Sequence, residues 1–117
     1  MISMILEKTN ETMTPGTGEI SLGPVDQIPV GEGRVFPTHG IEVAVFHTRG
    51  GQVYAVQAEC PHRQGPLADG LIGGTILMCP FHSRKFDLTN GLGLQGDCDL
   101  QTYPVRLDSD GGLWLTV

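Results

Sequence analysis

Cysteine is scarce in this chain. Three among 117 residues are too few, and too odd a number, for the disulfide framework of a small secreted domain. Cationic side chains are scarce too: seven Lys and Arg stand against thirteen Asp and Glu, a formal net charge of −6. That balance excludes an electrostatic attraction to nucleic acid and suits protein partners with basic faces. No apolar stretch reaches the length of a membrane span. The opening Met1-Ile-Ser-Met-Ile-Leu-Glu-Lys8 lacks both the basic n-region and the apolar core of a signal peptide. The expectation is a cytoplasmic protein without membrane contact, in a compartment that keeps thiols reduced and available to metals. Long helices are excluded as well, because seventeen glycines and eight prolines interrupt the chain.

What is present is the punctuation of short strands. Residues 1–18 are polar and aperiodic and are expected to form a disordered leader, with a single domain over 19–117. Arg34–Pro37 reads as a brief strand. Ile41–Thr48 alternates, with Ile41, Val43, Val45 and His47 on one face and Glu42, Ala44, Phe46 and Thr48 on the other. Arg49-Gly-Gly-Gln52 reads as a hairpin turn in which two glycines accept positive φ, and Val53–Gln57 as the returning strand. Cys60–Asp69 is a loop, Leu71–Met78 a hairpin turning at Gly73-Gly74, and Cys79–Arg84 a second loop. Lys85–Asp87 is a short strand followed by an Asn90-Gly91 turn. Gly93–Asp97 is a third loop. Gln101–Leu107 and Leu113–Val117 form a last hairpin about Asp108–Gly112. The predicted fold is all-β, built of small antiparallel sheets.

Two loops carry the chemistry. Cys60-Pro-His62 and Cys79-Pro-Phe-His82 each pair one thiolate with one imidazole, and prolines stiffen the backbone beside the ligands. The single hairpin between the pairs lets the loops project side by side and close on a metal from two directions. Such a Cys2His2 set can hold zinc, giving a zinc-stabilised interaction module. It can equally hold a [2Fe–2S] cluster in which two histidines replace two cysteines on one iron. Zinc fingers commonly pair like with like and end in a helix; here the types are mixed within each loop, and no helix follows.

Cys60-Pro-His-Arg-Gln-Gly-Pro-Leu67 and Cys79-Pro-Phe-His82, with Phe86-Asp87 following, resemble the two cluster-binding loops of the Rieske family. The resemblance spans roughly residues 20–117. It implies a [2Fe–2S] cluster with Cys60 and Cys79 on the inner iron and His62 and His82 on the outer, and it implies one-electron transfer. High-potential Rieske proteins carry an extra cysteine in each loop, where this chain has Gly65 and Phe81. Where they place serine and tyrosine hydroxyls near sulfur, this chain has Arg84 and Phe86. Hydrogen bonds to sulfur favour the reduced cluster, so their loss implies a potential near the low end of the range, about −150 mV. Ser83 is the remaining hydroxyl in the second loop. Arg63, Arg84 and Lys85, three of the seven cations, lie in or beside the loops, where they either offset a reduced cluster and guide docking or are ordinary solvated charge.

Asp97-Cys-Asp-Leu-Gln-Thr-Tyr-Pro-Val-Arg106 and Val43-Ala-Val-Phe-His-Thr-Arg49 resemble small subunits of NAD(P)H-dependent assimilatory nitrite reductase. That implies a sirohaem-bearing large subunit as partner. The alternative is the ferredoxin of a ring-hydroxylating dioxygenase system, working between a flavin reductase and a terminal oxygenase. In neither does the chain show a nucleophile beside a base or a pair of catalytic carboxylates, so catalysis would belong to the partner.

Four features are expected to stand aside. Gly91-Leu-Gly-Leu-Gln-Gly96 matches the dinucleotide fingerprint, but no helix follows to meet a pyrophosphate. Cys98, with no partner cysteine left over, reads as a packed or idle thiol rather than a ligand. His39 and His47 are expected on strand surfaces, and Trp114 in the core or covering the closing hairpin.

Overall fold

Strand residues 43–46 point alternately into two different cores, and that alternation organises the molecule. The computed structural model describes residues 19–38, 40–61, 66–80, 84–94 and 98–116. In chain order the strands are β1 (Glu19–Pro24), β2 (Glu32–Thr38), β3 (Ile41–His47), β4 (Val53–Gln57), β5 (Leu71–Gly73), β6 (Ile76–Met78), β7 (Lys85–Asp87), β8 (Thr102–Tyr103), β9 (Val105–Leu107) and β10 (Gly112–Thr116). Short 3-10 turns lie at Val25–Gln27 and Leu67–Asp69. The strands form three sheets, β9-β10-β1, β2-β3-β4-β8 and β5-β6-β7. Every strand pairing within them is antiparallel.

The four-stranded sheet lies between the other two. Val43, Val45 and Ala55 join Leu113 and Leu115 of β10 in one core, edged by Ile20, Leu22 and Val105. Ala44, Phe46 and Val56 face the opposite way, into a core with Cys60, Leu67, Leu77, Cys79, Phe86 and Leu88. Because side chains alternate at a period of two, one strand can serve both. This is why β3 is buried over Val43–Phe46 on both faces, although its sequence alternation alone would suit a half-solvated strand. Leu77, Leu113 and Leu115 show no exposure. Each such leucine contributes about 1.5–3 kcal/mol by burial.

Several local expectations are corrected. The strand foreseen at Arg34–Pro37 runs the full Glu32–Thr38, and Pro37 is tolerated because β2 is an edge strand. The stretch Gln101–Leu107 is two strands. Pro104, which has no N–H to donate, marks the point where the chain leaves β4, paired through β8, to pair with β10 through β9. In the 49–52 turn only Gly51 takes positive φ, +86°. His47 is half-buried, with Nδ1 3.0 Å from the Ile28 carbonyl, so it fastens the 25–28 turn to β3 rather than standing in solvent. His39 and the 1–18 leader lie outside the described residues.

Trp114 takes the second of its two expected roles and covers the closing hairpin. Its indole N–H donates to Asp108 Oδ2 at 2.8 Å, and the Arg106 guanidinium lies 5.5 Å from its ring centroid. Arg106 also meets both oxygens of Glu19, at 2.7 and 2.9 Å, clasping β1 to the C-terminal hairpin. The Arg106 contact holds the Glu19 carboxyl below its ordinary range. Donation from the Trp114 indole, then from the Gly112 and Asp110 amides, does the same for Asp108.

Candidate metal centre

Both expected cysteine ligands sit at loop necks closed by backbone hydrogen bonds. In the first loop the Leu67 amide donates to the Ala58 carbonyl at 3.0 Å, and Glu59 bridges Pro66. Cys60 follows immediately. The second loop is the connection between β6 and β7. Met78 pairs with Lys85, and the Cys79 amide donates to the Arg84 carbonyl at 2.7 Å. The β5–β6 hairpin lies between the two loops, as the sequence spacing suggested.

The necks bring the two cysteines into one apolar environment. Cys60 and Cys79 are 0% and 1% exposed and share a core with Leu67, Leu77 and Phe86. No disulfide joins any of the three cysteines. Two buried thiols at the mouths of adjoining loops, shielded from solvent, are the kind of donor pair that an iron–sulfur cluster takes. His62 and His82 lie outside the described residues, as do Arg63, Gly65, Phe81 and Ser83. Of the flanking cations, Arg84 is half-buried and Lys85 exposed.

Phe86 is 1% exposed and packs in the core that holds both cysteines. Its ring supplies apolar surface and no hydroxyl. The next residue, Asp87, turns the chain: its Oδ1 accepts from the Thr89 hydroxyl at 2.6 Å and from the Thr89 amide at 2.9 Å, and its carboxyl is held below the ordinary range as a result.

The glycine-rich run has a packing role. A Cβ on Gly91, whose φ is +80°, would lie 2.4 Å from the Leu100 carbonyl oxygen, and one on Gly93 would lie 2.0 Å from the Cys98 carbonyl oxygen. These glycines let the 98–100 segment cross directly over the chain leaving β7. Gly93 also donates its amide to Asp99 Oδ1 at 2.9 Å. Cys98 packs half-exposed against the core of Cys60 and Cys79, as expected of a packed thiol.

Sequence reasoning overlooked Gln57. Its Nε2 donates to the Glu59 carbonyl at 2.7 Å, one residue before Cys60, and its Oε1 accepts from the Gln101 amide at 2.8 Å. Nothing local in the sequence marks it, since the contact joins positions 44 residues apart.

Residues 18–105 match the Rieske [2Fe-2S] domain model. The ferredoxin component of a naphthalene 1,2-dioxygenase/salicylate 5-hydroxylase system from Ralstonia is 31% identical over 87 residues, covering 73% of this chain and 83% of that protein. Among solved structures, a Mycobacterium tuberculosis protein described as an NADH-dependent nitrite reductase small subunit shares the fold. Its TM-score is 0.80 at 21% identity, over 86% of this chain and 96% of the other. The ferredoxin of carbazole 1,9a-dioxygenase from Nocardioides aromaticivorans superposes with TM-score 0.76 at 25% identity, over 86% and 98%. The cofactor of this family is a [2Fe–2S] cluster rather than zinc, and the buried thiol pair fits it. The chain belongs to the Rieske [2Fe–2S] domain family.

Proposed function

We propose that this chain carries single electrons as the cytoplasmic small subunit of an assimilatory nitrite reductase, on a cluster held by Cys60, His62, Cys79 and His82. The observation that carries the electron-carrier reading is the pair of buried cysteines at the necks of two adjoining loops. Bound there, the cluster supplies one-electron redox chemistry. The protein's part is to exclude water, to fix the two thiolates through the closed necks, and to set the potential. Phe86, packed against that core without a hydroxyl, supports a low potential of about −150 mV.

The choice of system rests on likeness. The Val43–Arg49 and Asp97–Arg106 runs resemble nitrite reductase small subunits, and the shared fold with the Mycobacterium tuberculosis protein extends over nearly its whole length. A large, sirohaem-bearing subunit is then the partner. The second reading, a dioxygenase ferredoxin serving a flavin reductase and a terminal oxygenase, is favoured by the identity with the Ralstonia ferredoxin component.

Electron paramagnetic resonance and absorption spectra of the dithionite-reduced protein test the cluster. A colourless, zinc-loaded, silent protein sinks the reading outright. His62→Cys should retain the cluster and lower its potential, and an unchanged potential would remove His62 from the ligand set. Gene neighbourhood and stable co-purification with a large subunit separate the two systems.

A further inference from the structure

The outer face of the β5-β6-β7 sheet is apolar but for Lys85 and Asp87, and strand register fixes its extent. Leu71 pairs with Met78 and Met78 with Lys85, so these three stand in one row; Gly73, Ile76 and Asp87 form the next. The sheet continues past β7. Phe86 bridges Gly93, the Asp87 amide donates to the Leu92 carbonyl, and the Leu94 amide donates to the Lys85 carbonyl, both at 2.9 Å. Directly opposed residues share a face. Leu94 therefore extends the first row and Leu92 the second.

The inward residues Ile72, Leu77 and Phe86 pack toward the cysteines. Outside, Leu71, Leu92 and Leu94 are 69%, 50% and 53% exposed, three of the five large hydrophobic residues so exposed among the described ones. A shallow depression runs between Leu71, Ile76, Met78 and Lys85. Exposed apolar surface gathered on one face, rather than scattered, marks a place where another protein sits.

We propose that this face seats the electron-transfer partner, which meets it with an apolar patch bearing a carboxylate opposite Lys85. The proposal rests on the electron-carrier reading. Two observations choose the occupant. The loop that begins at Cys79 leaves the sheet from Met78 and returns to it at Lys85, both in the first row, so a protein seated on that row touches the base of the loop. The chain is also acidic, at −6, and this face carries one exposed cation, Lys85, and one half-buried carboxylate, Asp87, which is engaged by Thr89. The net charge sets two copies of the chain against each other, whereas a different protein can cover the apolar rows and place a carboxylate beside Lys85.

The test uses the full, cluster-loaded chain with two purified acceptors from the same organism, the sirohaem-bearing nitrite reductase subunit and the terminal oxygenase. Stopped-flow electron transfer and equilibrium affinity are measured for the parent, Leu71→Glu, Leu94→Glu, Lys85→Glu and, as a control in the exposed turn between β9 and β10, Ser109→Glu. The first three should weaken binding and slow transfer at subsaturating acceptor by about tenfold or more, as charge forced into an apolar or oppositely charged contact requires. Their paramagnetic spectra and potentials should match the parent, and Ser109→Glu should transfer normally. Full transfer by the parent together with unaltered affinity in all three variants overturns the docking face alone. No transfer or binding by the parent with either acceptor overturns the electron-carrier partnership, and the docking face with it. Sedimentation that shows a parent dimer dissociated by Leu71→Glu assigns the face to a second copy and overturns the proposal.

Discussion

The Gln57 side chain donates to the Glu59 carbonyl at 2.7 Å, one residue ahead of Cys60. Its oxygen takes the Gln101 amide at 2.8 Å, and the two backbones join again through the Gln57 amide and the Gln101 carbonyl at 2.9 Å. One side chain thus ties the neck of the first loop to the segment entering β8. Gln57→Leu keeps the volume and removes both side-chain bonds. It should cost about 1–2 kcal/mol in urea unfolding and hasten loss of cluster absorbance under a chelator. Unchanged values for both would mean that the brace is idle.

Gly93 and Gly73 differ in what surrounds them. A methyl on Gly93 would stand 2.0 Å from the Cys98 carbonyl oxygen, whereas one on Gly73 meets nothing within 4 Å. Gly93→Ala should destabilise by about 3 kcal/mol through forced backbone displacement, and Gly73→Ala should stay within about 0.5 kcal/mol. Thermal melts of the two variants compare them directly. Equal melting temperatures would refute the close crossing of the 98–100 segment.

Phe86 lies in the core of Cys60 and Cys79. Phe86→Tyr adds a hydroxyl at the position where high-potential relatives carry one. A new hydrogen bond to sulfur worth about 1 kcal/mol corresponds to a rise of about 40 mV in a one-electron potential. Protein-film voltammetry reads it. A fall or no change would show that the added hydroxyl does not reach the cluster sulfur.

Asp108 accepts the Trp114 indole and the Gly112 and Asp110 amides, and its carboxyl lies below the ordinary value of 3.8. A carboxyl depressed in the folded state binds its proton more readily when unfolded. Its stabilisation is therefore complete well above pH 3.8 and is lost as pH falls from there through the folded value. Asp108→Asn should melt below the parent at pH 7, and the gap should close as pH falls below about 4. A gap that persists unchanged at pH 3 would mean that the charge is irrelevant.

The strands around β3 and β4 were legible because alternation, a Gly-Gly turn and β-branched residues agree locally. The loops that begin at Cys60 and Cys79 stood out in the sequence because chemistry restricts which side chains can ligate, and the structure buries both cysteines at their necks. Other features depend on contacts that no local pattern records. Pro104 announces an interruption, yet only tertiary pairing decides that Thr102–Tyr103 joins β4 while Val105–Leu107 joins β10. The burial of both faces of β3 follows from what packs on each side, and Gln57 acts through a partner distant in sequence. The packing role of Gly91 and Gly93 emerged only with the 98–100 segment lying across them.

The clasp between Glu19 and Arg106 joins positions 87 residues apart, and among the described residues β1 pairs only with β10. During synthesis Cys60 and Cys79 leave the ribosome well before β10 exists. For that interval the nascent chain holds both halves of the proposed metal site while one side of its central sheet is bare. Such late closure leaves apolar strand surface open to misassembly. Chains cut short before Gly112 should therefore fail as aggregates even where every proposed metal ligand is present.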